Sequence, residues 1–207
     1  MFKVMFGLMI LLFCISCRKE EGPAAPSPVP TSAEYFPMTK GSYWIYERWT
    51  VDTAGVSMFP FADYDSAFVA GDSIINAKIY TVIDGTLSGK ICLRDSSDCL
   101  VDEYGHRKFS LHPAAGPFTE ESIGPGLFTS TSVMKGDDSA CVVPAGSFTA
   151  RYRIGSVVSL IDGPSWRKSR AFHTAYVKGI GLVSERRMDW TYPVYIDSKL
   201  IRYHIAP

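Results

Sequence analysis

Four histidines, His106, His112, His173 and His204, are the side chains best suited to metal or proton chemistry, and they stand far apart in the chain. Neither an H-E-x-x-H run nor a Cys-x-x-Cys pair occurs, so no zinc-ligand spacing is present, and neither a metal nor a cofactor is expected. His204 shares a strand face with Arg202, opposite Ile201, Tyr203 and Ile205, and is expected to face solvent. Gly163-Pro164-Ser165-Trp166-Arg167 lacks the second glycine of a nucleophile elbow and reads as a Gly-Pro turn. Cys141, just ahead of Val142 and Val143, reads as a buried and inert thiol. The acid pairs Glu120–Glu121 and Asp137–Asp138 lie among glycines and prolines, where carboxylates are ordinarily solvated turn residues; glycosidase chemistry would need partners about 5–9.5 Å away. Asp63 with Asp65, and Asp95 with Asp98, do not continue into a calcium loop with its distal glutamate. Arg167, Lys168 and Arg170, and the pair Arg186–Arg187, read as solvated faces. The chain is therefore not expected to be an enzyme.

One cysteine has a different chemistry. Lys3 precedes an apolar run from Val4 to Ile15, followed by Ser16 and Cys17. The run is shorter than the roughly 20 residues a permanent span requires. A basic start, a short apolar core and a small residue at its end form an export signal. Cys14-Ile15-Ser16-Cys17 resembles a lipobox, with Cys14 where leucine is commoner. That resemblance implies a signal peptide over residues 1–16 and a lipid-anchor at Cys17. Residues 17–34 follow as a lipidated tether, with prolines at 23, 26, 28 and 30 that favour an extended polyproline conformation.

The remainder, residues 35–207, has the length of a single domain with a sizeable core. Its charge is balanced, formally +0, so no electrostatic footprint for nucleic acid is present. Aromatic residues make up 13% of the chain and favour strands. Short alternating segments recur between turn residues: Tyr43–Trp49, Lys78–Ile83 ending at Asp84-Gly85, Phe172–Tyr176 and Ile201–Ile205. Phe148, Ala150, Tyr152 and Ile154 alternate with Thr149, Arg151 and Arg153 and predict a half-buried strand with its arginines outward. No segment sustains a capped helical period. The expected fold is all-β: an antiparallel β-sandwich or a strongly curved, partly open β-barrel, with stacked sheets preferred because small β domains fill their interiors.

An exported chain meets an oxidising compartment, so closely spaced cysteines are read as a bridge. Ile91–Leu93 and Cys99–Val101 flank a short turn segment. If the hairpin loop closes between Leu93 and Asp98, Cys92 and Cys99 stand opposite at about 4.5 Å between Cα atoms. A Cys92–Cys99 disulfide is expected, with Cys141 free.

Tyr35-Phe36-Pro37-Met38-Thr39-Lys40-Gly41-Ser42-Tyr43-Trp44-Ile45-Tyr46 resembles the opening of a group of uncharacterised lipoproteins of Bacteroidetes type, which carry a Y-x-P-L-x-x-G-x-Y-W-x-Y pattern. The segments 72–80, 143–148 and 176–183, the last containing K-G-x-G-L-V, agree with that group. Met38 replaces leucine, and Ala77 stands where glycine is usual after Asn76. The resemblance implies location rather than activity: a protein anchored by acyl chains to the outer membrane. Arg18-Lys19-Glu20-Glu21 resembles the signal that carries such lipoproteins to the cell surface. The expected role is a non-enzymatic binding or interaction domain for a protein, glycan or apolar ligand. The alternative is a carrier or sensor of apolar or lipid molecules held in a cavity of the curved sheet.

Several acyl chains, each CH₂ contributing about 0.8 kcal/mol, would make anchoring effectively permanent. Cys17→Ala is expected to abolish incorporation of labelled palmitate and to release the chain from membranes or leave it unprocessed. Undiminished labelling of the variant would contradict the assignment.

Overall fold

Tyr43–Val51 forms the strand on which the sheet is built, with Trp44, Tyr46, Arg48 and Val51 buried along it. A computed structural model describes residues 31–61, 64–85, 89–96, 98–112, 116–122, 128–136, 138–159, 169–189 and 191–207. The signal segment, Cys17 and most of the tether lie outside the described residues, as do Asp63, Asp137 and the Gly163–Arg167 turn. A 3-10 turn, Ser32–Tyr35, precedes the strands.

Among the described residues one continuous antiparallel sheet holds fourteen strands. They are β1 Tyr43–Val51, β2 Ser57–Pro60, β3 Asp65–Ile75, β4 Lys78–Gly85, β5 Ile91–Ser96, β6 Cys99–Asp102 and β7 Arg107–Ser110, then β8 Phe118–Ser122, β9 Phe128–Met134, β10 Ser139–Val143, β11 Gly146–Ser159, β12 Ser169–Val177, β13 Gly181–Met188 and β14 Tyr195–His204. The order runs β7-β6-β5-β4-β3-β1-β14-β13-β12-β11-β9-β8, with β2 beside β1 and β10 beside β11. The first long strand thus pairs with the last, and two meanders run outward from that seam. The edge strands β7 and β8 are consecutive in the chain, and side chains join them. The Arg107 guanidinium of β7 lies 4.3 Å from the Phe118 ring centre of β8, and across the interior the Tyr176 hydroxyl of β12 donates to the Lys108 carbonyl of β7 at 3.3 Å. The sheet has curled until its edges meet, which makes a nearly closed barrel.

The preference for two stacked sheets is therefore corrected in favour of the barrel. Register shifts at Ile45/Tyr46, Val69/Gly71, Leu100/Val101 and Ala175/Tyr176 bend the strands, as bulges do, and let one sheet close on itself. Two glycines permit close approaches. A Cβ on Gly155 would lie 2.4 Å from the Thr131 carbonyl oxygen, and β11 runs through it without a bulge. Gly181, at φ +107°, leaves room for the Trp44 indole, 3.3 Å from where its Cβ would stand.

The hairpin β5–β6 also departs from expectation. β5 continues to Ser96, which pairs with Cys99, so the turn falls between those two residues. Cys92 pairs instead with Val82 on β4. Four residues of strand, about 13 Å, separate the levels of the two sulfurs, which is too far for a disulfide. Cys92, Cys99 and Cys141 are all free thiols.

Strand β11 is corrected as well. Its arginines do not face outward: Arg153 is buried against Phe118 and Phe172, and Arg151 lies over the Tyr35 ring. The first part of β11 pairs with β10 and buries Ala150, whereas from Arg151 onward it pairs with β12. His204 is exposed, as expected.

Between β3 and β4 the loop is only two residues, Asn76 and Ala77, at φ +50° and +59°. That is the signature of a mirror-image hairpin turn, which suits glycine at its second position. Alanine in this region is strained by about 1–2 kcal/mol. Ala77→Gly is expected to raise the unfolding free energy in urea by about 0.5–1 kcal/mol, once the extra backbone entropy of glycine is offset. A variant less stable than the parent would contradict the turn.

Candidate ligand cavity

The barrel is filled at one end and hollow toward the other. At the filled end Phe36 packs on Trp44 with ring centres 5.1 Å apart, and Tyr35 stacks on Phe109 at 4.6 Å. The Trp44 indole N–H donates to the Ile180 carbonyl at 2.6 Å. Ser32 hydrogen-bonds Asp95, and Lys178 pairs with Glu34 at 2.6 Å, so the N-terminal turn is tied to this end of the barrel. Above it lies a cavity of about 450 Å³. Its floor is aromatic and aliphatic, with Phe36, Tyr46, Ile83, Leu93, Leu100 and Leu182 contributing. The Tyr46 hydroxyl donates to the Leu182 carbonyl at 2.9 Å, and burial, with the nearby Glu185 and Asp65 charges, pushes its pKa well up.

Polar groups form the walls in an order set by register. Arg48 on β1 stands opposite Ser198, Ser198 opposite Glu185, Glu185 opposite Thr174, and Thr174 opposite Arg153. This row crosses five neighbouring strands, and all its members except Glu185 are buried. Glu185, Thr174, Arg153 and Ser198 line the cavity directly, as does Arg187 one step along β13 from the row. The Arg153 Nε donates to Ser132 Oγ at 2.8 Å. Burial lowers the Arg48 pKa, and the like charge of Arg187 lowers it further, while Asp65 and Glu185 act in the opposite sense. The Arg48 Nε and the Thr174 hydroxyl make no hydrogen bond.

Acids on the facing strands are already engaged. Asp102 Oδ1 accepts from the backbone N–H of Tyr104 and His106, and Oδ2 lies 3.0 Å from Lys108 Nζ and 3.1 Å from His106 Nδ1. Burial opposes the Asp102 charge, but the Lys108 and His106 contacts outweigh it and hold the carboxyl below the usual aspartate range. Glu103 accepts from the Cys92 backbone N–H, and Asp84 from that of Gly85.

The residues weighed for chemistry are dispersed. His106 belongs to the Asp102 network, His112 lies 3.2 Å from Asp98, His173 packs beside Tyr152, and His204 stacks on Tyr43. Among the described residues no three His, Cys, Asp or Glu side chains form a metal-sized group. Asp65, weighed as half of a calcium pair, is buried and lines the cavity. Arg187, expected on a solvated face, lines it too, and burial pushes the Cys92 thiol pKa up. Sequence reasoning missed Arg48, Asp102, Arg153 and Thr174. The available signal was the recurrence of charged or hydroxyl residues in phase with the aromatic faces of β1 and β12, as in Trp44-Tyr46-Arg48 and Phe172-Thr174-Tyr176.

No family model matches the chain, and no curated protein matches it. Two crystal structures are similar in outline. One is a candidate lipoprotein of Parabacteroides distasonis, at 12% identity and a TM-score of 0.42, and the other a candidate exported protein with a YmcC-like fold from Bacteroides fragilis, at 12% identity and 0.40. Each match covers 82% of this chain and 98% of the other. A likeness of this degree carries no information about function.

Asp102 makes the acid response of the barrel predictable in sign. Because its pKa is lowered on folding, its contribution is present above the ordinary aspartate value of about 3.9 and is lost as pH falls through the folded value below it. Asp102→Asn is expected to cost about 1.5–3 kcal/mol at pH 7 and to flatten the loss of stability below about pH 4, as read from urea melts across pH. Equal acid sensitivity in both proteins would contradict the assignment.

Proposed function

We propose that the protein is a lipid-anchored protein of the cell envelope whose barrel takes up a small molecule without transforming it. The observation that carries this reading is the cavity of about 450 Å³, walled by buried polar side chains, one of which, the Thr174 hydroxyl, has no partner. Buried polar groups are ordinarily satisfied within a fold, so an orphan beside an open cavity suits a ligand. The volume falls within the range of about 300–1,000 Å³ usual for small-molecule sites. The export signal and the cysteine at position 17 support attachment by acyl chains, and the resemblance of the opening motif supports the outer membrane. The Arg18–Glu21 charges support exposure at the cell surface.

A second reading, binding of a partner through the outer β surface, is favoured by β2. All of its residues are exposed, and Val56, Phe59 and Tyr64 each leave more than half of their surface to solvent.

The test of the first reading is extraction and native mass spectrometry of residues 17–207 carrying Cys17→Ser, purified without detergent. A bound small molecule is expected near one equivalent, and it should be lost in Ala67→Trp, which fills the cavity wall. A protein free of bound mass that also fails to take up an apolar dye would refute the cavity reading and leave the β2 surface.

A further inference from the structure

Within the cavity the two walls differ in charge and in what their polar groups still need. On β11 to β14 the lining carries Arg153 and Arg187 against a single acid, Glu185, whereas the Arg48 guanidinium lies outside it, 4.4 Å from the Phe61 ring centre. On the facing strands and their turns stand Asp65, Asp84, Asp102 and Glu103 against Lys90 and Lys108. The acids Asp84, Asp102 and Glu103 accept hydrogen bonds from the protein. On the arginine wall the unmet capacity is the Thr174 hydroxyl, on a buried residue that lines the cavity. Arg187 lines the same wall, and a guanidinium there can pair with an anion whose remaining oxygen accepts from the Thr174 hydroxyl.

We propose that the cavity binds the anionic head of a small amphiphile, a carboxylate or phosphate, between Arg187 and Thr174. This rests on the cavity reading above. The apolar part of the molecule would lie on Leu93, Leu100, Ile83 and Leu182, which form the floor. Guanidinium forks match planar carboxylates and phosphate oxygens equally, so the two heads share one chemistry.

Isothermal titration of residues 17–207 carrying Cys17→Ser with octanoate, octyl phosphate, octanol and octylamine decides it. The two anions are expected to bind at least ten-fold tighter than octanol or octylamine. Acetate and inorganic phosphate should bind far more weakly, which distinguishes an amphiphile's head from a free anion. Arg187→Gln is expected to weaken octanoate at least ten-fold while leaving octanol unchanged, Arg187→Lys to recover part of the loss, and Thr174→Val to weaken it by a smaller factor. Lys178→Gln, at the filled end, should change nothing. Thermal melts of each variant show whether it is folded. Octanol binding as tightly as octanoate, with both lost in Ala67→Trp, would overturn the anion site while leaving the cavity reading intact. Octanoate binding unchanged in folded Arg187→Gln, or acetate matching octanoate, would also overturn it. Binding of none of the probes overturns it as well, and the co-purified mass then judges the cavity reading on its own.

Discussion

The aromatic contacts at the filled end hold the curled sheet shut. Tyr35 on Phe109 and Phe109 on Tyr176, with ring centres 4.6 and 5.2 Å apart, connect the N-terminal turn, the edge strand β7 and strand β12. Phe36 on Trp44 ties the same turn to β1, at the seam of the sheet. Each such pair is worth about 0.5–1.5 kcal/mol beyond the area it buries. Their importance is positional: β7 and β8 do not pair as strands, so this packing and the Arg107–Phe118 contact take over the closing role of a ladder. An edge strand left open would offer unpaired backbone groups to other chains.

Closing the sheet creates the second constraint, an interior too wide to be filled by side chains along its whole length. At the filled end Phe36 and Trp44 occupy it. Beyond Tyr46 the inward positions carry Arg48, Glu185, Thr174 and Arg153 in one cross-strand row. Burying charges is tolerable only where they are paired or solvated. Arg153 lies against two aromatic rings and a serine hydroxyl, and Asp102 has Lys108 and His106. The arginine wall is the part left incompletely served, and the same feature that costs stability there suits it to bind.

Much of the barrel was readable in the chain. Strand β1 announced itself through Trp44 and Tyr46 alternating with Tyr43 and Ile45, and the turn pair Asp84-Gly85 marked the end of β4. Closure was harder to read, because alternation shows that a strand has two faces but not whether the buried one meets a second sheet or its own far edge. Arg153 was misassigned for a related reason. Strand β11 is covered by β10 at one end and faces the cavity at the other, so no single phase describes it. The Cys92–Cys99 bridge failed on register: the turn begins after Ser96 rather than after Leu93, and each residue of slip carries the two thiols further apart. The candidate site was the least readable part, since its members come from five strands spread between Arg48 and Ser198 and only the ladder brings them into one row.

The claim on which the account turns is that an aromatic plug, rather than a strand ladder, closes the barrel. Amide hydrogen exchange on the parent and on a Tyr35→Ala, Phe36→Ala double variant tests it directly. The account predicts that amides of β6 and β7 exchange about 100-fold faster in the variant while those of β1 and β14 keep most of their protection. Unchanged protection in β7, or equal loss across β1, β14 and β7, would contradict it.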